Sequence, residues 1–304
     1  MITRRRFAAL AAPLSLRAAA VEGSILVHEH VLVDFGGVAN PGRYDPEEVF
    51  RLARPKLEEV RRLGCRRLLE CTPQGLGRDP RLLTRLAEAT GIEIWTNTGV
   101  YGAADRKGVP RFALRESAAQ LARRFIAEVR KGVDGVTPRF IKTAVLKAPL
   151  EELDRKLVRA AAITSRETGL TIASHTGAGA AALEQLDILD QEKVSPSKFV
   201  WVHAQSEKAP EFHEKLARAG AWVEFDGLRE GKSDWQRDCV RAMAAKGLLR
   251  RTLIANDAGW YHVGEPGGGE FLGYSYLYDG FLPMLDPSWH RNLMVENPRA
   301  AFGD

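Results

Sequence analysis

Short apolar or β-branched runs recur along the chain at 24–27, 67–71, 92–96, 139–144, 170–174, 199–202, 221–225 and 252–255. Between them lie longer stretches whose apolar positions repeat at helical spacing: 46–63, 80–90, 113–131, 150–168, 180–191, 209–219 and 235–246. Several carry start and stop signals. Asp45 and Asp79 each precede a proline suited to a first helical turn, and Gly64, Gly91, Gly169 and Gly220 follow the last periodic residues. Strands alternating with helices predict a parallel sheet of the α/β class, and eight such units predict a closed, distorted (β/α)8 TIM barrel. An open doubly wound sheet is the alternative, but it lacks a glycine-rich phosphate turn here. Gly177-Ala178-Gly179 is too short for one and reads as a tight turn.

A length of 304 residues suits a single barrel, and 45% hydrophobic with 27% charged residues suits a globular enzyme. No apolar run approaches the roughly 20 residues of a membrane span, so no stable membrane insertion is expected. The net charge of +5 is partly concentrated in Arg4, Arg5, Arg6 and Arg17, and it carries no nucleic-acid inference. Paired arginines before Phe7, a weakly apolar stretch to Leu16 and small residues ending at Ala20 resemble a twin-arginine export signal over residues 1–20. Residues 21–304 would then form one domain, periplasmic or secreted after transient contact with the export machinery. A basic tail on a cytosolic protein is the alternative. Cys65, Cys71 and Cys239 are odd in number and read as small buried hydrophobes.

The chemistry-bearing residues cluster at the predicted strand ends. His28 and His30, two apart on one strand, point to the same side and offer two imidazoles to one ion, while Glu29 faces away. Lys142, His175, His203 and Asp257 end later strands, and a parallel barrel brings all such ends to one rim. His213, mid-helix among charges, and His290, at the start of the last helix, read as solvated. His262 reads as exposed, with a substrate contact as the alternative. The 258–289 segment, rich in glycine and aromatics such as Trp260, reads either as a lid and pocket wall or as outer packing of the barrel.

In order along the chain, Val27-His28-Glu29-His30, the 72–79 segment, Thr98-Gly99-Val100-Tyr101, Ile141-Lys142, Ser174-His175-Thr176, Val202-His203, Asn256-Asp257 and Glu296-Asn297-Pro298 together resemble the phosphotriesterase family of the amidohydrolase superfamily. The resemblance covers most of residues 22–303. It implies a barrel holding two divalent ions, zinc first, with manganese, cobalt or iron as alternatives. His28, His30 and Asp257 would hold one ion and His175 and His203 the other, with Lys142 bridging them after carboxylation by carbon dioxide. A free ammonium has no lone pair to offer, whereas its carbamate supplies two oxygens and a negative charge. The chemistry implied is metal-assisted hydrolysis, with Asp257 as proton acceptor. Tyr101 resembles a pocket tyrosine of lactone-hydrolysing relatives, with core packing as the alternative.

The short 203–257 interval, the Val202-His203-Ala204-Gln205-Ser206 run without an acid often found after that histidine, and an individual 258–289 segment depart from better-known members. These departures touch loops that select substrate and leave the ligand set intact. The expected partner is a small-molecule lactone or carboxylic ester, with a phosphotriester or phosphodiester second. Trp260 and His262 stand beside Tyr101 as candidate substrate contacts. A mononuclear deaminase would not need Lys142, and a non-catalytic metal-binding barrel would not need an inward proton acceptor. A homodimer stays open, since relatives often dimerise and no exposed apolar stripe demands it here.

Overall fold

A computed structural model of the protein describes residues 19–304. Eight parallel strands form the barrel: β1 (Ser24–Glu29), β2 (Cys65–Glu70), β3 (Glu93–Trp95, resuming at Asn97–Thr98), β4 (Phe140–Val145), β5 (Ile172–Thr176), β6 (Phe199–Val202), β7 (Trp222–Phe225) and β8 (Thr252–Ile254). Neighbours pair in sequence order from β1 to β8, with β3 interrupted at Thr96. Two backbone hydrogen bonds close the ring between its last and first members. Asp257 N–H donates to His28 O at 3.1 Å, and His30 N–H donates to Ala258 O at 2.8 Å. A short parallel pair, Leu32–Val33 with Tyr261–His262, extends this seam beyond the rim.

The helices follow the predicted spans closely: α1 (Pro46–Arg62), α2 (Pro80–Thr90), α3 (Arg111–Arg115), α4 (Ala118–Lys131), α5 (Glu152–Thr168), α6 (Gly179–Gln191), α7 (Pro210–Arg218), α8 (Asp234–Ala245) and a terminal α9 (Asn297–Phe302). The Asp45 carboxylate accepts from Glu47 N–H, and that of Asp79 accepts from the N–H groups of Arg81 and Leu82, as N-caps should. The predicted 113–131 helix is broken in two. Ser117 and Gln120 form a reciprocal capping box that starts α4 afresh, so the local capping chemistry prevails over a continuous helical period.

Two apolar layers stabilise the barrel. Alternate strand residues facing outward, such as Leu26, Ile141, Ile172, Phe199, Trp201 and Ile254, pack beneath the helices. The inward set, including Ile25, Val27, Leu69, Phe140, Ala173, Val200, Val202 and Leu253, fills the interior below the rim. From these parities, His175 and Lys142 follow regularly after Ala173 and Phe140. His28 and His203 do not: each is out of phase with the inward residues of its strand. In β1 the pairing register shifts between Leu26 and Glu29, and at the end of β6 His203 itself takes a left-handed backbone with φ 65°. A bulge and a left-handed turn therefore swing three imidazoles, those of His28, His30 and His203, toward the interior.

Much of the 258–289 segment is packing rather than lid. Tyr274, Tyr278 and Phe281 are fully buried in the outer layer, and the Tyr278 hydroxyl bonds Ser24 Oγ at 2.8 Å. Residues 1–18 of the expected export signal lie outside the described residues; Ala19 N–H donates to Tyr278 O at 2.8 Å. Among the described residues no helix is long and apolar enough to cross a membrane. The three cysteines are buried and free.

Candidate metal centre

The barrel rim brings all six predicted residues to one cavity of about 180 Å³, whose walls include His28, His30, Lys142, His175, His203 and Asp257. Imidazole ring centres stand 5.4 Å apart for His28 and His30, 5.1 Å for His28 and His203, and 4.2 Å for His175 and His203. Lys142 Nζ lies 3.2 Å from His28 Nε2. This lysine is 1% exposed, and among the described residues no carboxylate comes within ion-pairing reach of it.

Three of the four imidazoles, those of His28, His30 and His203, are oriented from behind, and His175 is met by a residue of the cavity wall. Glu224 Oε1 lies 2.8 Å from His28 Nδ1, and Asp226 Oδ1 lies 2.7 Å from His203 Nδ1. Asp226 also accepts from His203 N–H at 3.0 Å and from Gln205 Nε2 at 2.7 Å. Thr72 Oγ1 meets His30 Nδ1 at 2.8 Å while donating to Leu32 O, and the Tyr101 hydroxyl meets His175 Nδ1 at 3.1 Å. With Nδ1 held in this way, the Nε2 atoms of His28, His30 and His203 are left for the cavity. This is the arrangement that fixes the tautomer of a metal-binding histidine.

Asp257 completes the set. Its Oδ1 is buried with no aligned hydrogen-bond partner among the described residues, yet lies 3.3 Å from His30 Nε2 and 3.7 Å from His28 Nε2. Donors sharing one ion at about 2.0–2.2 Å stand roughly 3–3.5 Å apart, so these atoms are spaced to converge on a cation. His28, His203 and Asp257 together offer three atoms within 4.8 Å of one another. A buried, orphaned carboxylate oxygen is otherwise costly, and the donor set fits divalent metal.

The electrostatics agree. Burial pushes the His30 pKa down to about 4, and burial with the neighbouring His203 holds His175 well below the ordinary histidine value, so both are neutral donors near pH 7. At His28, burial and Lys142 push downward while Cys71, Asp257 and Glu224 push upward, and the balance lies well above the ordinary value. The site attracts positive charge there. Burial works against ionisation of Asp257, but His28 and His30 outweigh it and hold the carboxyl below the usual range. Burial, then Asp257, raises the Tyr101 hydroxyl, which stays protonated. Glu29 faces away from the cavity and is buried; its pKa is pushed up to about 8 by burial, against opposing hydrogen bonds from Ala258 and Asn256.

Of the candidate substrate contacts, Tyr101 and Trp260 line the cavity, joined by Val33, Phe35 and Leu76. Trp260 stacks on His30 at 3.8 Å, and its Nε1 donates to Asp257 O at 2.8 Å. His262 is not among the cavity walls and stacks behind Trp260 at 6.1 Å. Two other histidines differ from expectation. His213 is 2% exposed because its ring packs between Trp201 and Phe225 and its Nε2 bonds Ala204 O at 2.7 Å. His290 is half-buried, with Nε2 bonded to Leu282 O at 2.9 Å. Glu224, Asp226 and Thr72 were not anticipated. The run Val223-Glu224-Phe225-Asp226 carried the signal, since two acids on the inward parity of a barrel strand are expensive without partners.

The profile of the Phosphotriesterase family matches residues 11–302. The chain belongs to that family. It is 31% identical over 209 residues to an aryldialkylphosphatase of Saccharolobus solfataricus, covering 67% of this chain and 66% of that protein, just under two thirds of its length. A phosphotriesterase homology protein of Escherichia coli is 26% identical over 92% of this chain and 98% of its own. Among solved structures, a mutant of an organophosphorus hydrolase from Deinococcus radiodurans superposes with a TM-score of 0.82 at 25% identity, covering 94% of this chain and 95% of that one. Family membership makes this protein a TIM-barrel, metal-dependent hydrolase acting on ester bonds.

Proposed function

We propose that the protein hydrolyses lactones, or carboxylic esters of similar size, at a centre of two divalent ions, zinc first among the candidates. In this reading His28, His30 and Asp257 would hold one ion and His175 and His203 the other, and Lys142, as a carbamate formed with carbon dioxide, would supply oxygen donors and a negative charge to both. The observation that carries it is the buried Asp257 Oδ1, unpartnered and 3.3 Å from His30 Nε2. When bound, such ions activate water and polarise the substrate oxygen. Asp257 accepts a proton at Oδ1 and returns it to the departing alkoxide. The Tyr101 hydroxyl, kept protonated, is placed beside His175 to donate to the reacting carbonyl. Lys142, buried without a carboxylate, suits a carbamate bridge better than a salt bridge, and it disfavours the mononuclear deaminase.

The cavity supports an uncharged substrate. Among the described residues Lys142 is, apart from the histidines, the sole cationic side chain in the cavity walls, and Val33, Phe35, Leu76 and Trp260 are apolar, so these walls offer an anionic phosphodiester no guanidinium and, with Lys142 as a carbamate, no free ammonium. A neutral phosphotriester is the second reading, favoured by similarity to the aryldialkylphosphatase of Saccharolobus solfataricus. Export through the twin-arginine route remains part of the proposal, supported by Arg4, Arg5 and Phe7 in the N-terminal sequence, and cell fractionation tests it. The function is tested by elemental mass spectrometry of protein purified without chelator, run beside a panel of lactones, esters and phosphotriesters. Two ions per chain with chelator-sensitive lactone turnover is the expected result. One ion, or preference for a phosphotriester, overturns the corresponding part.

A further inference from the structure

The residue between the paired histidines has no place in the mechanism above, yet it is fully buried and makes three hydrogen bonds to one segment. Glu29 Oε1 accepts from Asn256 N–H at 3.0 Å and from Asn256 Nδ2 at 3.0 Å, while Oε2 accepts from Ala258 N–H at 2.9 Å. These contacts flank Asp257 on both sides. Asp257 itself has φ 53°, a left-handed conformation that a non-glycine residue holds only when its surroundings impose it.

We infer that Glu29 is a positioning residue for Asp257: its carboxyl group grips the backbone before and after that residue and aims Oδ1 toward the position where His28 and His30 would hold a cation. One tripeptide, His28-Glu29-His30, thereby sets two halves of a single ion site. His28 and His30 enter from β1, and the residue between them fixes the third donor across the barrel seam. The surrounding contacts leave little slack. Asn256 Nδ2 also donates to Tyr274 O at 2.9 Å, and the Tyr274 hydroxyl donates to His30 O at 2.7 Å. Gly259, with φ 99°, lies so close to His30 O that a Cβ there would meet it at 1.8 Å. The alternative occupation for Glu29, as a further ligand, is disfavoured because both oxygens are spent on the clasp and face away from the cavity.

This inference rests on the binuclear reading and is tested separately from it. Glu29→Gln keeps the shape but sets an amide N–H₂ against either Ala258 N–H or the two Asn256 donors, so at least one arm is lost. Metal retention is followed by elemental mass spectrometry during titration with a chelator, with Co(II)-substituted protein giving the spectrum of each ion. The expected result is that one of the two ions leaves at about 10–100-fold lower chelator concentration, the range found when groups orienting a ligand are removed, while the other is retained as in the wild type. kcat falls and KM stays within about twofold, as for a group acting only through the transition state. Equal loosening of both ions alongside a lower Tm means a merely structural role and overturns the inference, as does unchanged retention in folded E29Q. Should E29Q fail to fold, Asn256→Ala removes the side-chain donors to Glu29 Oε1 and Tyr274 O while keeping both backbone donors to Glu29, and is expected to show the same unequal loss at smaller size; equal or no loss there overturns it. A wild type without two ions defeats the binuclear reading instead.

Discussion

The lower interior of the barrel and its rim are built from the same eight strands but obey different rules. Below, Ile25, Val27, Phe140, Ala173, Val200, Val202 and Leu253 follow strict inward alternation, are almost wholly buried and carry no charge. At the rim, alternation fails at His28 and His203, the backbone turns left-handed at His203, Asp257 and Trp260, and Glu29, Glu70, Glu224, Asp226 and Lys142 are buried together. The lower layer gains from burial alone, at about 25 cal/mol per Å² of apolar surface. The rim departs from regular geometry and desolvates charge, which is tolerable where a bound cation and convergent hydrogen bonds compensate. Strain and buried charge thus coincide with the candidate metal centre.

Four experiments break or sharpen that contrast. Lys142→Ala is expected to have the largest effect, lowering ion content and reducing turnover by more than the about 100-fold that loss of a merely orienting partner produces. Retention of two ions and near-normal rate in this variant would remove Lys142 from the centre. Leu253→Ala, in the lower layer, is expected to cost about 2–5 kcal/mol in denaturant unfolding while ion content stays at the wild-type value. If metal is lost from the folded variant, the two regions are not separable. Asp226→Asn leaves one oxygen but sets an amide against His203 Nδ1, Gln205 Nε2 or His203 N–H, and about 10–100-fold weaker metal binding is expected with little change in urea midpoint. A metal titration indistinguishable from wild type would count against the orienting role.

The smallest effect concerns pH and lies away from the rim. Burial depresses the His213 pKa below its ordinary value of 6.5, against the opposing bond to Ala204 O. The folded state therefore binds fewer protons at this site than the unfolded chain. Its contribution is fully present above pH 6.5 and declines as the pH falls below that value toward the depressed folded pKa. His213→Gln, which retains a donor for Ala204 O, is expected to flatten the drop in Tm between pH 7 and pH 5. A drop as steep as in the wild type would assign the acid sensitivity to other groups.

Much of this was legible in the sequence because each signal was local. Asp45-Pro46 and Asp79-Pro80 set helix starts, the recurring apolar runs set the strands, and the six residues His28, His30, Lys142, His175, His203 and Asp257 were readable as a set. His213 was misread because charged neighbours along the helix conceal which face meets Trp201 and Phe225. The aromatics of 258–289 stayed ambiguous since packing and pocket walls draw on the same side chains, and only Trp260 of them reached the cavity.

The sequence by itself determined the barrel's element order, its apolar periodicity and the inventory of donors, since these depend on spacing along one chain. Tertiary structure alone decided that a register shift in β1 and left-handed turns at His203 and Asp257 would swing those donors to a common point. It also decided that Glu29, Glu224 and Asp226 would orient them from behind. The physical reason is that hydrogen bonds between residues 23 positions apart at His203 and Asp226, and 196 to 229 apart at the barrel seam, set these orientations, and no local propensity encodes partners that only the folded barrel brings within reach.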